Sequence, residues 1–430
     1  MIRVALIGTS GYAGYLIDRL WELPDQCQIV AAATLDKPEN PCVINCIKRG
    51  IRVFPNLDAL LTALSPKDCD AIVVASGIDS HYGCAAQALA AGFHVLLEKP
   101  PVPTIQELDA LVKLEERVGR SVAVHFQFLY AATNQRLKSV LMSGALGRIR
   151  RLRALAAWPR SIQYFQRSPW TGRLYTTDSW VLDGTVCNSL AHLLAHELFL
   201  ATAKPGLAIP ATVQGELYHA NDTESEDTSS LRIVTDEGVE ILYYASLATT
   251  TQRDVLLEIE TDKATVRQTD FADTVVCYQD GREEILGKPH PSKTEEDKIV
   301  RRHMLTTIFD ALTEGKPQIF DARVCRPYVL ALNAAFESGG PPKRVAAEFK
   351  HNLVAENLQQ VVIEGIEQDL ETAFSKRLLL SEVGVPWASA SPVFVCNGYT
   401  DFPLNPALKA LEPARRSVAR GAKAVLARRP

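Results

Sequence analysis

The sequence of 430 residues predicts an α/β protein in which an N-terminal, doubly wound parallel sheet precedes an α+β domain with a large, mainly antiparallel open sheet. Two observations predict this order. Up to about residue 125, short apolar runs alternate with segments of helical length. From Val213 to Leu286, β-branched or alternating runs are separated by turns such as Asp280-Gly281. The chain is 47% hydrophobic and 22% charged, an ordinary globular composition with enough length for a sizeable core.

The first 125 residues are predicted to be one domain built from parallel β-α-β units. The predicted strands are Arg3 to Ile7, Gln28 to Leu35, Ala71 to Ala75, His94 to Leu97 and Ser121 to Phe126. The predicted helices between them are Tyr12 to Glu22, Leu57 to Leu64, Tyr82 to Ala91 and Ile105 to Val118.

Residues 126–340 are predicted to form a second, α+β domain, its sheet buried on one face. Its predicted strands include Ser230 to Thr235, Val239 to Tyr244, Val255 to Glu260 and Thr274 to Tyr278, and its later helices are Glu295 to Glu314 and Pro327 to Glu337. Gly339, Gly340, Pro341 and Pro342 mark a boundary. Residues 341–430 are predicted to be a mostly helical extension that ends in an irregular, basic and solvated tail, from Arg415 to Arg429.

Charge and composition argue against several functions. A net charge of −4 gives no field for nucleic acid or an anionic membrane, and no apolar run approaches the ~20 residues that span a bilayer. Because the N-terminus opens in a strand rather than a leader, we expect a cytoplasmic protein. The nine cysteines form no C-x-x-C pair and are expected to be reduced; Cys42 and Cys46 could hold zinc, but that interpretation is not favoured.

A glycine-rich turn follows the first predicted strand and opens the first helix. Its residues are Gly8, Thr9, Ser10, Gly11, Tyr12, Ala13 and Gly14. Ser10 breaks a strict G-x-G-x-x-G, whereas G-x-x-G-x-x-G fits, and the placement predicts a Rossmann domain that holds a pyrophosphate on backbone amides. Either Thr34 or Asp36 ends the second strand, where the adenosine ribose is expected. The cofactor is therefore NAD or NADP, with NAD favoured; Lys37 could contact a 2′-phosphate.

A longer motif, Ala91-Gly92-Phe93-His94-Val95-Leu96-Leu97-Glu98-Lys99-Pro100, resembles the A-G-x-H-V-x-x-E-K-P hallmark of the Gfo/Idh/MocA family. That family contains glucose–fructose oxidoreductase and inositol dehydrogenase, and the resemblance extends over roughly residues 1 to 340. It implies that Lys99 lies beside the nicotinamide and the reacting carbinol, where an ammonium stabilises negative charge and relays a proton. The other cofactor-binding positions expected are Ser76, His81, Glu98 and Gln127.

The family's second signature is an aspartate followed four residues later by a histidine. Here Asn188 occupies the aspartate position and His192 the histidine position, and the spacing predicts both on one helix face. The resemblance implies that His192 is the catalytic acid or base, with Asn188 as an uncharged orienting group. His196 completes an H-x-x-x-H spacing, but no third ligand is identifiable, so we expect no metal site and a capping or packing role for His196.

Between the two signatures, an aromatic and arginine-rich segment from Trp158 to Arg173 resembles one branch of the family. Rings beside guanidinium groups suit a sugar with hydroxyl or carboxylate substituents. We expect Arg160, Tyr164 and Trp170 to bind substrate together with Lys99, Asn188 and His192.

These observations predict an NAD(P)-dependent oxidoreductase that transfers a hydride between nicotinamide and a carbinol of a sugar, inositol or related polyol, in a homodimer or homotetramer. One alternative is an NAD-dependent glycosidase of the same fold that works through transient oxidation. Another is a non-catalytic protein that senses a dinucleotide or a sugar. A semialdehyde reductase is less favoured, since it needs a nucleophilic cysteine and Cys187 has no special support.

Overall fold

The computed structural model describes residues 1–176, 178–269, 273–355 and 358–411. Its first sheet contains six parallel strands in the order β3-β2-β1-β4-β5-β6. These strands are β1 (Ile2–Ile7), β2 (Cys27–Ala33), β3 (Arg52–Phe54), β4 (Ala71–Val74), β5 (His94–Leu97) and β6 (Val122–Val124). The helices between them are α1 (Tyr12–Trp21), α2 (Pro41–Lys48), α3 (Leu57–Ala63), α4 (Ile78–Ala90) and α5 (Ile105–Val118).

The order of these strands creates a crevice. The chain reverses direction across the sheet between β1 and β4, where a doubly wound fold places its ligand at the carboxyl ends of the strands. β4 is buried throughout, because helices cover both faces of the sheet. The predicted α/β class and the parallel N-terminal sheet are confirmed.

The second sheet is mixed and larger, in the order β14-β13-β12-β11-β7-β10-β9-β8-β15. The elements of this part, in chain order, are α6 (Ala132–Met142), β7 (Ile149–Ala157), α7 (Ile162–Phe165), α8 (Ala191–Leu200), β8 (Pro210–His219), β9 (Thr228–Thr235), β10 (Glu240–Ser246), β11 (Arg253–Thr261), β12 (Ala264–Thr269), β13 (Thr274–Tyr278), β14 (Glu283–Gly287), α9 (Lys293–Glu314) and α10 (Arg326–Gly339). Neighbouring strands are mostly antiparallel, as predicted, but β7 and β10 pair in parallel at the centre.

The extension beyond Gly340 differs from its prediction. It contains β15 (Lys343–Arg344), β16 (Lys350–Ala355), β17 (Leu358–Ile363), α11 (Ile366–Lys376), β18 (Phe394–Val395) and α12 (Pro406–Lys409). The mostly helical interpretation was wrong, because β16 and β17 pair antiparallel and α11 is a helix of only 11 residues. The basic tail from Arg415 to Arg429 lies outside the described residues.

The extension covers the outer face of the large sheet. Along β10, Ile241 and Tyr243 belong to the main core, whereas Leu242 and Tyr244 point to the opposite face and pack against α11. The Tyr244 hydroxyl donates to the carbonyl of Ala373 at 3.1 Å. The prediction of a single buried face was therefore wrong at these strands, because α11 and the residues after it bury the other face.

No helix in the described part of the chain is both long and apolar enough to cross a bilayer.

Candidate active site

One groove runs along the carboxyl ends of the first sheet and continues between the two domains. It encloses about 2370 Å³, its open mouth included. The predicted site residues that line it are Gly8, Ser10, Gly11, Tyr12, Thr34, Asp36, Ser76, His81, Glu98, Lys99, Gln127, Arg160, Tyr164, Trp170, Asn188 and His192. Three predicted residues, Thr9, Ala13 and Gly14, do not line the groove. They pack within and behind the glycine turn, where a Cβ on Gly8 would meet Ala13 and a Cβ on Gly14 would meet the backbone oxygen of Thr9.

The glycine turn has the shape that a pyrophosphate needs. Gly8 and Gly11 have φ angles of +101° and +57°, which favour glycine. A Cβ on Gly8 would lie 2.9 Å from the Cβ of Ala13, whereas the space over Gly11 is open. The first amides of α1 have no acceptor within the helix, and they lie at its positive end. This turn fits a dinucleotide phosphate.

Both residues considered for the ribose position lie together at the end of β2. The Thr9 hydroxyl donates to Asp36 Oδ2 at 2.9 Å, and the Asp36 amide donates to Thr34 Oγ1 at 3.1 Å. Partial burial raises the pKa of Asp36, but hydrogen bonds from Ser10, Thr9 and Thr34 outweigh this effect and leave the pKa below its usual value. A charged carboxylate therefore lines this end of the groove.

His81 joins two turns beneath the groove. Its Nδ1 lies 2.8 Å from the carbonyl oxygen of Pro100, and its Nε2 lies 3.2 Å from that of Ser76. Burial lowers the pKa of the imidazole. These contacts fix the turn after β4 against the turn that carries Lys99, so His81 supports the shape of the groove.

Lys99 is the first link in a chain of buried polar contacts. Its Nζ donates to the backbone oxygen of Asn188 at 2.9 Å and to Asn188 Oδ1 at 3.0 Å. Asn188 Nδ2 in turn donates to Asp183 Oδ1 at 2.6 Å, and the Gly172 amide donates to the other oxygen of Asp183 at 2.6 Å. Burial lowers the pKa of Lys99 and raises that of Asp183. The Asn188 side chain thus connects the Lys99 ammonium to the Asp183 carboxylate through two hydrogen bonds.

A second buried acid lies next to Lys99 in the sequence. The carboxylate of Glu98 and His125 Nδ1 are 2.9 Å apart. Burial raises the pKa of Glu98, but the hydrogen bond and charge of His125, followed by the charges of Arg301 and Lys99, outweigh it and lower the pKa. Glu98 therefore brings negative charge close to the Lys99 ammonium and anchors the end of β5.

His192 does not share a helix with Asn188. Asn188 lies in a π-helical turn, Thr185–Ser189, and α8 begins only at Ala191, so the prediction that one helix carries both was wrong. The imidazole packs against Phe128, with ring centroids 4.8 Å apart. Burial, then the charges of Lys99 and Arg301, hold its pKa well below 6.5, so the ring is neutral near pH 7.

Arg301, on α9, was not predicted to belong to the site. Its Nε contacts Asp297 Oδ2 at 2.8 Å, and its Nη1 donates to the Tyr12 hydroxyl. With the Gln127 amide oriented to satisfy both of its ends, its oxygen accepts from Arg301 Nη2 at 2.9 Å and from His192 Nε2 at 3.1 Å. The second domain thereby contacts both the glycine turn and the catalytic candidates.

The predicted substrate residues Arg160, Tyr164 and Trp170 all reach the groove. The Arg160 guanidinium lies 5.0 Å from the centroid of the Tyr164 ring, and that of Arg167 lies 3.7 Å from it. A Cβ on Gly77 would lie 2.7 Å from Trp170 Nε1, so this indole packs onto the turn after β4. The aromatic loop therefore closes the groove from the side of the second domain.

His196 faces a smaller cavity on the far side of His192. Burial lowers the pKa of His196 to about 4, which keeps the ring neutral. Within the described residues, no three His, Cys, Asp or Glu side chains are grouped to hold a metal ion. A buried, neutral imidazole with no metal-ligand partners among the described residues is consistent with a packing role for His196.

Comparison with known proteins places this geometry in a family. Residues 2–126 match the model of the Gfo/Idh/MocA oxidoreductase family, described as having an NAD-binding Rossmann fold. The N-terminal domain belongs to the Gfo/Idh/MocA family. The family resemblance read from the glycine turn and the Glu98-Lys99-Pro100 motif is confirmed for this domain, whose family is described as NAD-binding.

Two curated relatives of this Gfo/Idh/MocA domain are dehydrogenases. The chain is 32% identical over 149 residues to the D-glucoside 3-dehydrogenase of Escherichia coli K12, a match that covers 34% of this chain and 41% of that protein. It is 31% identical over 155 residues to an inositol 2-dehydrogenase of Streptomyces avermitilis, covering 34% and 42% respectively. The chain thus spans less than half the length of these two relatives.

A solved structure extends the likeness to the second domain. The WlbA dehydrogenase of Chromobacterium violaceum, in complex with NADH and UDP-GlcNAcA, superimposes with a TM-score of 0.66 at 20% identity and covers 79% of this chain and 93% of its own. At this identity the comparison shows the fold alone. A Gfo/Idh/MocA Rossmann domain followed by a large, mostly antiparallel sheet is thus the observed architecture.

Three contributors to the candidate site were missed by the sequence analysis. Asp183 lies within the stretch that carries Asn188, and the exchange of the family's aspartate for asparagine was a reason to look for an acid nearby. His125 follows β6 directly, so its proximity to the end of β5 could have been inferred from parallel pairing. Arg301 left no signal, because Asp297 and Arg301 look like an ordinary surface pair on a helix.

Proposed function

We propose that the chain is an NAD(P)-dependent oxidoreductase that transfers a hydride between nicotinamide and a carbinol of a sugar, inositol or related polyol. The observation that carries this proposal is the continuity of one groove, which the glycine turn lines at one end and Lys99, Asn188 and His192 line at the other. A dinucleotide-binding turn and a set of proton-handling side chains are what such a reaction needs in one place.

The side chains divide the proton chemistry between them. Lys99 Nζ uses two donors on Asn188, which leaves its third for the oxygen of a carbinol. Its positive charge stabilises that oxygen as negative charge develops. His192 is neutral, its ring packs against Phe128, and its Nε2–H donates to Gln127. Its Nδ1, which has no hydrogen-bond partner among the described residues, is the nitrogen that accepts the hydroxyl proton. Bound NAD or NADP supplies the acceptor for the hydride that leaves the carbinol carbon.

NAD is the proposed cofactor rather than NADP. The charged carboxylate of Asp36 lies at the end of β2, where the adenosine ribose is expected. A carboxylate accepts hydrogen bonds from two ribose hydroxyls but repels a 2′-phosphate. Thr34, the other candidate for this position, hydrogen-bonds to Thr9 and to the Asp36 amide and so supports the carboxylate.

The relatives support a polyhydroxylated substrate. One is named a D-glucoside 3-dehydrogenase and another an inositol 2-dehydrogenase, and both names denote oxidation of a carbinol. The aromatic loop around Tyr164 supplies the flat surface and donors that a sugar ring needs. Cytoplasmic location, assembly into a homodimer or homotetramer and the absence of nucleic-acid or membrane partners stay predictions.

The decisive experiment combines a release assay with turnover. Purified protein is denatured and any released dinucleotide is identified, and then NADH formation is followed at 340 nm against a panel of polyols and glycosides. We expect Lys99→Met and His192→Asn to lower kcat/KM by 10²-fold or more, the scale of general acid–base catalysis. The matched controls Lys113→Met and His303→Asn change exposed residues outside the groove and should retain activity.

Two results would contradict the proposal. One is failure of the folded protein to bind NADH or NADPH. The other is release of sugar from glycosides with no net reduction of the nicotinamide, which would identify the glycosidase instead.

A further inference from the structure

The substrate end of the groove holds two arginines that form no ion pair within the described part of the chain. The side chains of Arg160 and Arg167 instead donate to the backbone oxygens of Pro159 and Tyr164. Arg173, in the same loop but outside the groove, pairs with Glu224. Glu224 therefore neutralises Arg173, the arginine outside the groove, whereas Arg160 and Arg167 at the groove have no such partner among the described residues.

These two arginines are held against an aromatic ring, although Arg160 is half-buried and Arg167 is exposed. Both guanidinium groups stack on the ring of Tyr164, at 5.0 Å for Arg160 and 3.7 Å for Arg167, and Arg167 also lies 5.3 Å from the Trp170 ring. Arg160 Nε is buried without a hydrogen-bond partner, and so is Trp158 Nε1 beside it. Buried donors without partners are unfavourable unless a ligand satisfies them.

The arginine cluster is connected to the catalytic candidates. The Tyr164 hydroxyl lies 3.2 Å from Ser189 Oγ, and Ser189 follows Asn188, which binds the Lys99 ammonium. Asp297 pairs with Arg301, whereas Asp183 accepts hydrogen bonds from the neutral groups of Gly172 and Asn188. The three cations Lys99, Arg160 and Arg167 therefore exceed the two remaining carboxylates described at this end, Glu98 and Asp183, by one charge.

We propose that the polyol or sugar carries an anionic group, a carboxylate or a phosphate, which Arg160 and Arg167 bind while Lys99 and His192 act on a carbinol of the same molecule. Guanidinium groups bind both kinds of anion through paired N–H···O contacts. A neutral sugar offers hydroxyl oxygens to the buried donor of Arg160, but it leaves the positive charge of both guanidinium groups without a counter-ion. This inference rests on the proposed function, whose substrate it narrows to sugar acids or sugar phosphates.

The test compares three related probes on protein saturated with NADH. Binding of D-glucuronate, D-glucose 6-phosphate and D-glucose is measured by isothermal titration calorimetry at low and high salt. We expect at least one anionic probe to bind 10-fold or more tightly than glucose, with an advantage that shrinks at high salt. Arg160→Gln and Arg167→Gln should each remove most of that advantage, while Arg173→Gln should preserve it. Thermal melts verify that each variant is folded.

The outcomes separate the two proposals. A preference for glucuronate identifies a carboxylate as the bound group, and a preference for glucose 6-phosphate identifies a phosphate. Equal or tighter binding of glucose, no binding of either anion, or binding that the Arg160 and Arg167 variants leave unchanged overturns the anion site while NADH binding stands. Loss of NADH binding itself would instead contradict the proposed function.

Discussion

At the scale of single residues, Asn188 is explained by its neighbour. Its side-chain amide lies between Lys99 and Asp183, donating to the carboxylate and accepting from the ammonium. An aspartate here would place two carboxylates 2.6 Å apart, and one of them would have to hold a proton. The acid of this contact is therefore Asp183, and Asn188 lies between Asp183 and Lys99 and hydrogen-bonds to both.

This arrangement predicts the result of exchanging the two residues. We expect Asn188→Asp to lower kcat/KM by roughly 10-fold or more, because carboxylate repulsion disturbs the contact with Lys99. The double variant Asp183→Asn/Asn188→Asp restores one acid and one amide and should recover most of this loss. Its carboxylate, now beside the ammonium, should also raise the pKa of Lys99. Steady-state kinetics across pH measures both effects, and a double variant no better than the single one would contradict the idea.

The pKa shifts of the site predict a bell-shaped pH profile for carbinol oxidation. His192 must be neutral to accept a proton, so kcat/KM falls as pH decreases through its pKa, which lies well below 6.5. Lys99 must be charged, so kcat/KM falls as pH rises through its pKa, which lies below 10.5. Lys99→Arg should move the alkaline limb upward, because a guanidinium stays charged. An acid limb centred at or above pH 6.5 would be inconsistent with a buried, neutral His192.

Asp36 should determine the choice of cofactor. Asp36→Ser removes the carboxylate at the end of β2, and we expect the Kd for NADH to rise about 10- to 100-fold, the scale of a hydrogen bond to a charged group. Binding of NADPH should be unchanged or tighter. Fluorescence titration measures both constants, with the exposed Glu39→Ser as the control. A wild-type protein that prefers NADPH would contradict the assignment.

At the scale of elements, local patterns predicted the first sheet and failed in the extension. β4 is a short apolar run between turns, so its burial on both faces could be inferred without knowing its neighbours. In the hairpin β16–β17, Val354 and Leu358 are 68% and 45% exposed, so apolar residues there do not mark a buried helix face. These residues form strands because β16 and β17 pair with each other, and the periodicity of the sequence does not predict that pairing.

Most of the site residues that follow a strand of the first sheet were predicted, with His125 after β6 as the exception. Lys99 and Gln127 come directly after β5 and β6, and parallel strands bring such residues to one edge. Arg301 could not be found in this way, since it reaches the groove only because α9 packs against α1. Its place depends on tertiary packing between segments almost 300 residues apart.

Helix α11 predicts a measurable contribution to stability. Phe374 is 6% exposed, lies edge-on to Tyr244 and carries the Arg153 guanidinium 4.5 Å from its ring centroid. Phe374→Ala should lower the free energy of unfolding by about 3 kcal/mol through lost burial and a new cavity. NADH affinity should not change, since the groove is lined by other elements. Urea denaturation tests this, and Val354→Ala, at an exposed position, should cost under about 0.5 kcal/mol.

At the scale of the whole molecule, the extension affects how the chain can assemble. Leu155, Leu242 and Tyr244 form an apolar surface on the outer face of the large sheet, and residues of α11 cover it within the same chain. A self-association through that face would require the extension to leave. If the predicted homodimer or homotetramer forms, its interface therefore lies elsewhere on the surface.

The two domains are also joined across the groove, and this contact predicts a coupling between cofactor binding and stability. Arg301 and Asp297 on α9 contact Tyr12 and Tyr15 on α1, next to the glycine turn. Arg301→Met leaves Asp297 without its cation, and we expect a loss of about 2 kcal/mol, less than for a fully buried pair because Asp297 is 27% exposed. Because the same contact orders the turn, NADH should bind more weakly and raise Tm less than in the wild type. The neighbouring exposed Arg302→Met is the control. A variant that loses stability but keeps the full NADH-dependent rise in Tm would show that α9 supports the fold without shaping the cofactor groove.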